Sequence, residues 1–259
     1  MFRNVLKGID RRLSNRFLGH GIGFYPEFKG RRGRSHLKSS ASPVAKIIYS
    51  DGVYPVENVF DEGFISASRM KLDELEAVHR ASAGIIEQDI LDAGLKLHVN
   101  KATLKLLNAE SFFVEITPDY LDVLREKITN WLQVDFDFVT HMLWRNYHTD
   151  EPLLFSGDWH FDRRPVNWVR LFVLMEDVDV NQGPFHYLDR ASSKKYAKLG
   201  FSRRSEHSET VLGKDSRVKL FTGSSGNGAF VDVQRILHKA GVPCEGRTRD
   251  MSEIVISIK

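Results

Sequence analysis

The chain has one cysteine, Cys244, in 259 residues. That excludes an internal disulfide framework and fits a reducing compartment, so a cytoplasmic location is expected. Cys244 sits in the loop-like segment GVPCEG, and a nucleophile would need a nearby base or cation to activate it, so catalysis by it is not expected. No apolar run approaches the roughly 20 residues of a membrane span. The N-terminus lacks the apolar stretch and small-residue cleavage site of a secretory signal. Aromatics do not interleave with the basic residues, so a nucleic-acid surface is not expected. There is no internal repeat. The 42% hydrophobic and 27% charged composition is that of a globular chain, long enough to bury a large core.

Charge is present but unevenly placed. Residues 1–40 carry ten Lys or Arg against Asp10 and Glu27, a balance of +8, and the other 219 residues stand at −5. In MFRNVLKGIDRRLSNRFL, Phe2, Val5, Leu6, Ile9, Leu13 and Phe17 recur at helical spacing with basic residues opposite. Such a helix either rests on an anionic membrane or docks on the domain with a solvated basic face. Docking is the simpler reading, and membrane association is not favoured. GRRGRSHLKSSAS then reads as a mobile basic linker. Residues 1–44 are thus a helix and linker, and 45–259 a single domain.

Within that domain, 45–60 reads as two short strands broken at Asp51-Gly52. Residues 70–94 read as a helix or helix pair, through Leu72, Leu75, Val78, Ile85, Ile86 and Ile90. The run Ser111–Ile116 looks like a strand. Residues 117–132 form a helix with Thr117 as N-cap and Pro118 at its first position. Residues 65–133 are thus helical support. From 135 the texture turns to strands: 135–147, 167–180, 217–222, 228–233 and 250–258, with one short helix at 191–199. Strands without crossover helices argue for an antiparallel barrel or sandwich core over 135–259.

The chemistry centres on SGDWHFDRR. On a strand, His160 and Asp162 point to one side and aim an imidazole and a carboxylate at a common point. The triplet alone is weak: roughly one His-x-Asp is expected by chance in this composition, and a second, His148-Thr-Asp150, lies just upstream. That one runs into Glu151-Pro152 and reads as a turn. His160-Phe-Asp162 precedes a long strand, with Trp159 as a candidate apolar wall. His238, after the strand GAFVDV, is the best third ligand. Two His and one carboxylate with open positions suit a non-haem Fe(II) oxygenase. Arg249, eleven residues on, and its neighbour Arg247 could pair with a carboxylate. Trp144 and Asn146 alternate on the strand before the triplet and are candidate pocket residues. Arg163, Arg164 and Arg170 are either substrate contacts or solvated. His141 and His186 read as structural.

In their order, WHFD, VRLFVLMEDVDVNQGPFHYL, GNGAFVDVQRILHKAGVP and GRTRDMSEIVIS resemble the phytanoyl-CoA dioxygenase family of Fe(II)/2-oxoglutarate-dependent oxygenases. The resemblance covers residues 135–259, with a looser match at SDGVYPVENVF. It implies a mainly β fold with flanking helices and a double-stranded β-helix (jelly-roll, cupin-like) core. It implies Fe(II) held by His160, Asp162 and His238, and 2-oxoglutarate paired through Arg249, with Arg247 as the alternative. It implies O2 as oxidant, release of succinate and CO2, and hydroxylation of a small molecule. The arginines near the triplet and the pI near 8.9 favour an anionic substrate. One departure concerns the pocket: where the family continues into Pro-Gly-Ser-His, this chain reads HYLDRASSKK. Two alternatives stand beside this reading. One is a non-catalytic β-barrel binding module that keeps the fold. The other is a cupin-type metalloenzyme without 2-oxoglutarate, although the His-x-His with a later Glu expected of it is missing.

Overall fold

A computed structural model describes residues 35–81, 89–90, 96–150, 157–162, 165–199 and 211–259. The basic helix expected at the N-terminus lies outside these residues, as do Arg163 and Arg164. Part of the expected linker is packed instead: residues 35–39 form a helical turn and Leu37 is buried. Ser40 Oγ donates to the Leu132 carbonyl at 2.8 Å.

The first element, α1 (Pro43–Asp51), corrects the expected strand there. Its Ser42 side chain accepts from the Ala45 amide and Pro43 stands at the first helical position, a start signal that outweighs the β-branched Ile47-Ile48 pair. It ends at Gly52, whose φ of 90° is left-handed and lets the chain turn into β1 (Val53–Val56). Next come α2 (Glu62–Ala81), β2 (Asp89–Ile90) and the hairpin β3 (Lys96–Asn100) and β4 (Thr103–Leu107), which the sequence reading did not anticipate. The expected strand at 111–116 is a helix, α3 (Glu110–Ile116), and buries Phe112 and Phe113. Short apolar runs do not distinguish strand from helix, and here packing decides. In α4 (Tyr120–Leu132) the N-cap is Asp119, with no side-chain cap bond. Thr117 instead closes α3.

The second half supplies β5 (Phe136–Tyr147), β6 (Trp168–Leu174), β7 (Phe185–Tyr187), α5 (Arg190–Lys198), β8 (Lys219–Phe221), β9 (Gly228–Val231), β10 (His238–Lys239) and β11 (Thr248–Ile258). The strand expected over 167–180 stops at Leu174, and a 3-10 turn at Val180–Gln182 follows. The larger sheet has the order β1-β9-β6-β11-β5-β4-β3-β2 and the smaller β10-β7-β8, with every strand pairing antiparallel. An isolated bridge between His160 and His238 adds the His160 segment beside β10. Strands β5, β6, β9 and β11 lie in the larger sheet, and the segments between them cross to the smaller one. This winding is consistent with a jelly-roll core.

Period-2 alternation separates two hydrophobic layers. On the outer face of the larger sheet, Val169, Leu171, Val173, Ile254 and Ile256 pack with α1 to α4. On its inner face, Trp144, Phe172, Leu174, Val231 and Met251 join Phe185 and Phe221 of the smaller sheet. Each fully buried side chain of this kind contributes about 1.5–3 kcal/mol.

His141 belongs to the outer layer. It is fully buried, its Nδ1 is 2.8 Å from the Tyr120 hydroxyl, and its Nε2 has no partner. Burial pulls its pKa down to about 4. The unfolded chain takes up this proton below about pH 6.5 and the native protein does not. The stabilisation is therefore complete above about pH 6.5 and is lost as pH falls toward 4, by up to about 3 kcal/mol. His141→Phe is expected to flatten the decline in urea-unfolding free energy between pH 6.5 and 4.5. An unchanged slope would show that this imidazole is not the source.

Candidate metal centre

The bridge that joins the His160 segment to β10 also builds the site. His160 N–H donates to the His238 carbonyl at 2.9 Å, and His238 N–H returns the bond at 3.1 Å. Asp162 N–H donates to the Val233 carbonyl at 3.0 Å. Backbone pairing thus fixes where all three side chains start. Two glycines secure the far side. A Cβ on Gly183, where φ is 62°, would lie 2.2 Å from the Val242 backbone, and one on Gly241 would lie 2.5 Å from the Pro184 carbonyl oxygen. The Gly-Pro turn that opens β7 therefore packs directly on the chain leaving β10.

His160, Asp162 and His238 each offer one donor atom, and these lie within 4.8 Å of one another. Asp162 Oδ1 is 3.3 Å from His160 Nε2 and 3.9 Å from His238 Nε2. A metal about 2.1 Å from each would bring them to about 3 Å apart. His160 Nδ1 faces the Asp158 carbonyl at 2.6 Å and His238 Nδ1 the Ile236 carbonyl at 3.1 Å. A carbonyl accepts only, so each Nδ1 donates, and each Nε2 is turned toward the other two donor atoms. His160 and His238 are buried, and the Phe185 ring lies tilted with its centroid 5.3 Å from that of His238. Burial, reinforced by His160, lowers the His238 pKa to about 3, so the ring is neutral at ordinary pH. Burial pushes the Asp162 carboxyl upward, but His160, Arg170 and His238 outweigh it and hold the group ionised, well below the usual carboxylate range.

Arg249 lies on the inner face of β11, in register with Asn146, two residues before Met251. It is 3% exposed. Nη2 donates to Asn146 Oδ1 at 3.1 Å, while Nε and Nη1 have no hydrogen-bond partner. Burial lowers its pKa to about 10, so it is still a cation at neutral pH. An unpaired buried cation is costly, and unused N–H groups on Nε and Nη1 are what a carboxylate ligand would satisfy. Arg247 is exposed. Asn146 Nδ2 also donates to Thr103 Oγ1 at 3.1 Å. Trp144 packs edge-on to Phe172 and carries Lys105 Nζ 4.4 Å above its ring. Lys105, opposite Trp144 in the sheet, went unremarked in the sequence reading. The alternation of TLKLL, with buried Leu104 and Leu106, was the available signal that Lys105 turns the other way.

Other candidates lie elsewhere. Trp159 is not a wall of this site: it turns to the opposite face of the smaller sheet and packs with Leu188, Tyr196, Leu212 and Leu237. His186 faces the same way, edge-on to Trp159, with Nδ1 on the Pro184 carbonyl. His148 bonds the Pro243 carbonyl at 2.9 Å and its own Asp150 at 3.2 Å, away from the three. Arg170 is not solvated. Its Nη2 donates to Asp162 Oδ2 and its Nη1 lies 2.8 Å from Glu253. The departing segment HYLDRASSKK ends β7 and enters α5, where the Asp189 side chain caps the Ser192 amide. Among the described residues, this is the one cluster of three or more metal-capable side chains, and no helix is long and apolar enough to cross a membrane.

No protein-family model matches the chain, and no curated protein sequence matches it. Its fold does match solved structures. AviO1 from Streptomyces viridochromogenes Tue57 superposes with a TM-score of 0.54 at 15% identity, over 81% of this chain and 91% of that one. EvdO2 from Micromonospora carbonacea var. aurantiaca, solved in complex with 2-oxoglutarate, gives 0.52 at 14%, over 88% and 90%. HygX from Streptomyces hygroscopicus, solved with nickel, 2-oxoglutarate and hygromycin B, gives 0.51 at 14%, over 82% and 84%. At these identities the likeness is one of fold.

Proposed function

We propose that this chain is an Fe(II)- and 2-oxoglutarate-dependent oxygenase with a jelly-roll core, acting on a small molecule and releasing succinate and CO2. One observation carries the reading. A buried cluster of two imidazoles and an ionised carboxylate shares a barrel interior with an arginine whose Nε and Nη1 lack partners. The donor set fits Fe(II): two nitrogens and one oxygen, converging, with no fourth protein ligand among the described residues. The bound 2-oxoglutarate in EvdO2 and HygX, which share the fold, supports the same cosubstrate here.

His160, Asp162 and His238 would hold the iron, which supplies a centre for O2 activation coupled to 2-oxoglutarate decarboxylation. Arg249 would take the distal carboxylate of 2-oxoglutarate through the free N–H groups, with Asn146 fixing the guanidinium plane. Lys105 stands on the adjacent strand as a second cation on that side. Phe172, Phe185 and Trp144 line the interior between the imidazoles and Arg249 and exclude water. The hygromycin B in HygX supports a small-molecule substrate, and hydroxylation is the expected outcome.

The test is succinate formation, followed by NMR, from 2-oxoglutarate with Fe(II) in air. Slow uncoupled turnover by the parent protein is expected. His160→Ala should lower it at least about a hundredfold, since even an outer partner of a ligand typically costs 10–100-fold. Turnover that persists in His160→Ala, or that needs no Fe(II), would sink the proposal.

A further inference from the structure

The barrel interior holds a charged pair that three metal ligands alone do not require. Arg170 on β6 and Glu253 on β11 both turn inward: Glu253 sits opposite Phe172 and Met142, and Arg170 opposite Val255 and Val231. Glu253 is 2% exposed. Arg170 Nη1 lies 2.8 Å from Glu253 Oε1, a charge contact outside good hydrogen-bond alignment. The other end of the guanidinium, Nη2, donates to Asp162 Oδ2. Asp162 is therefore divided. Oδ1 faces His160 Nε2 and His238 Nε2, and Oδ2 is turned onto Arg170.

Stability does not account for this arrangement. Taking two opposite charges into an apolar interior is often no better than filling the same volume with hydrocarbon. The arginine also places a positive charge beside a carboxylate that would bind a cation, which by itself disfavours metal binding. A compensating gain has to come from geometry. A carboxylate able to swing can chelate with both oxygens and occupy two coordination positions. Held by Oδ2, it can offer only one. With two imidazoles and one carboxylate oxygen, an octahedral ion retains three open positions, two for a chelating 2-keto acid and one for O2.

We propose that Arg170, anchored by Glu253, is a positioning residue that restricts Asp162 to a single metal-binding oxygen and so keeps the third coordination position open. This rests on the oxygenase reading above. Glu253 neutralises the arginine, so that the orienting contact is made without a net positive charge next to the metal. Neither residue touches substrate or the reacting atoms.

The test uses the full chain and Co(II), whose visible absorption reports coordination number and geometry. The double variant Arg170→Met/Glu253→Met removes the pair without changing net charge. It is expected to unfold in urea at the parental midpoint or above and to hold Co(II) at least as tightly, because the freed carboxylate can close on the ion with both oxygens. The visible band should shift in position or intensity. The affinity of the Co(II)-loaded protein for 2-oxoglutarate should fall 10–100-fold, the range typical of a lost ligand-orienting partner, which a packing role would not produce. Arg170→Lys offers a point charge in place of a fork and should recover part of the parental spectrum and 2-oxoglutarate affinity, still short of the parent. A folded double variant with the parental spectrum and 2-oxoglutarate affinity would overturn the proposal and leave the oxygenase reading standing. If the double variant does not fold, Arg170→Lys decides, and a parental spectrum and 2-oxoglutarate affinity there overturn it equally. A parent protein that binds no Co(II), or binds it equally after His160→Ala, would overturn the oxygenase reading and this proposal together.

Discussion

Arg249→Met is expected to make the protein more stable and, at the same time, nearly blind to 2-oxoglutarate. The two effects have one cause. Arg249 is a buried cation with a single hydrogen-bond partner, Asn146, and two idle nitrogens, Nε and Nη1. Its pKa, lowered to about 10, records what burial takes from the charged form. Methionine fills much of the same volume without that penalty, so unfolding free energy should rise by about 1–3 kcal/mol. A bound carboxylate repays the penalty through charge-assisted bonds, and truncating one partner of such a buried pair typically costs 2–5 kcal/mol. Affinity for 2-oxoglutarate should therefore fall at least about thirtyfold. Thermal unfolding checks both at once. The variant should melt above the parent without ligand, and should show no further rise when Fe(II) and 2-oxoglutarate are added anaerobically. A variant that melts lower and still gains stability from 2-oxoglutarate would remove Arg249 from the site. Arg247→Met, at an exposed position, should leave both properties near parental values.

Arg145→Ala should produce the largest loss of stability. Arg145 is inner neighbour to both Trp144 and Asn146 in sequence, but alternation turns it to the outer face, toward α2. Its Nε and Nη2 make a two-bond fork to Asp250 at 2.7 Å each, and Nη1 reaches Asp73 and Glu76, also at 2.7 Å. Asp250 is fully buried, and a more distant Arg69, 3.5 Å away, is its other cationic contact. Its Asp250 bond and the two further carboxylates hold the Arg145 guanidinium protonated even more firmly than usual, against the opposing effect of burial. Alanine leaves a buried carboxylate without its fork, which costs about 3–5 kcal/mol. That is a large share of the 5–15 kcal/mol by which a domain is typically stable. Arg145→Lys should recover little, because an ammonium cannot supply the planar fork. Urea unfolding at neutral pH measures both variants. A loss below 1 kcal/mol in Arg145→Ala would show that the network holds nothing together. The proposed site lies next to this network, since Asp250 adjoins Arg249 and the Arg145 guanidinium ties β5 to β11 through the fork and to α2 through Nη1.

Much of the barrel was legible in the sequence because alternation is a local property. Strands β5 and β11 and the start of β6 stand where the aromatic and β-branched runs put them. His160, Asp162 and His238 were grouped from spacing and lie within 4.8 Å of one another, while Arg249 was preferred through the family resemblance and is buried on the inner face. What the spacing did not reveal was the face. Trp159 looked like a wall for its neighbour His160, yet adjacent residues on a strand point to opposite sides, and the ring serves α5 instead. Arg170 looked like a substrate contact or a solvated cation because its partners, Asp162 and Glu253, come from elements 8 and 83 positions away. The helical half was less legible. Ile47-Ile48 and Phe112-Phe113 have strand-like composition, and their helices are decided by Ser42-Pro43 and by packing under the larger sheet. The β3–β4 hairpin, which carries Lys105 and Thr103 to the edge of Trp144 and Asn146, has too little pattern in five-residue strands to stand out.

The most direct test of the oxygenase reading is an anaerobic titration of the parent protein with Fe(II) and then 2-oxoglutarate, watched in the visible region. A weak charge-transfer band should grow with 2-oxoglutarate until the protein is saturated, and should be absent in His160→Ala and displaced to far higher 2-oxoglutarate in Arg249→Met. A parent protein with no band, or a His160→Ala variant that keeps it, would contradict the assignment of His160, Asp162 and His238 as the iron ligands.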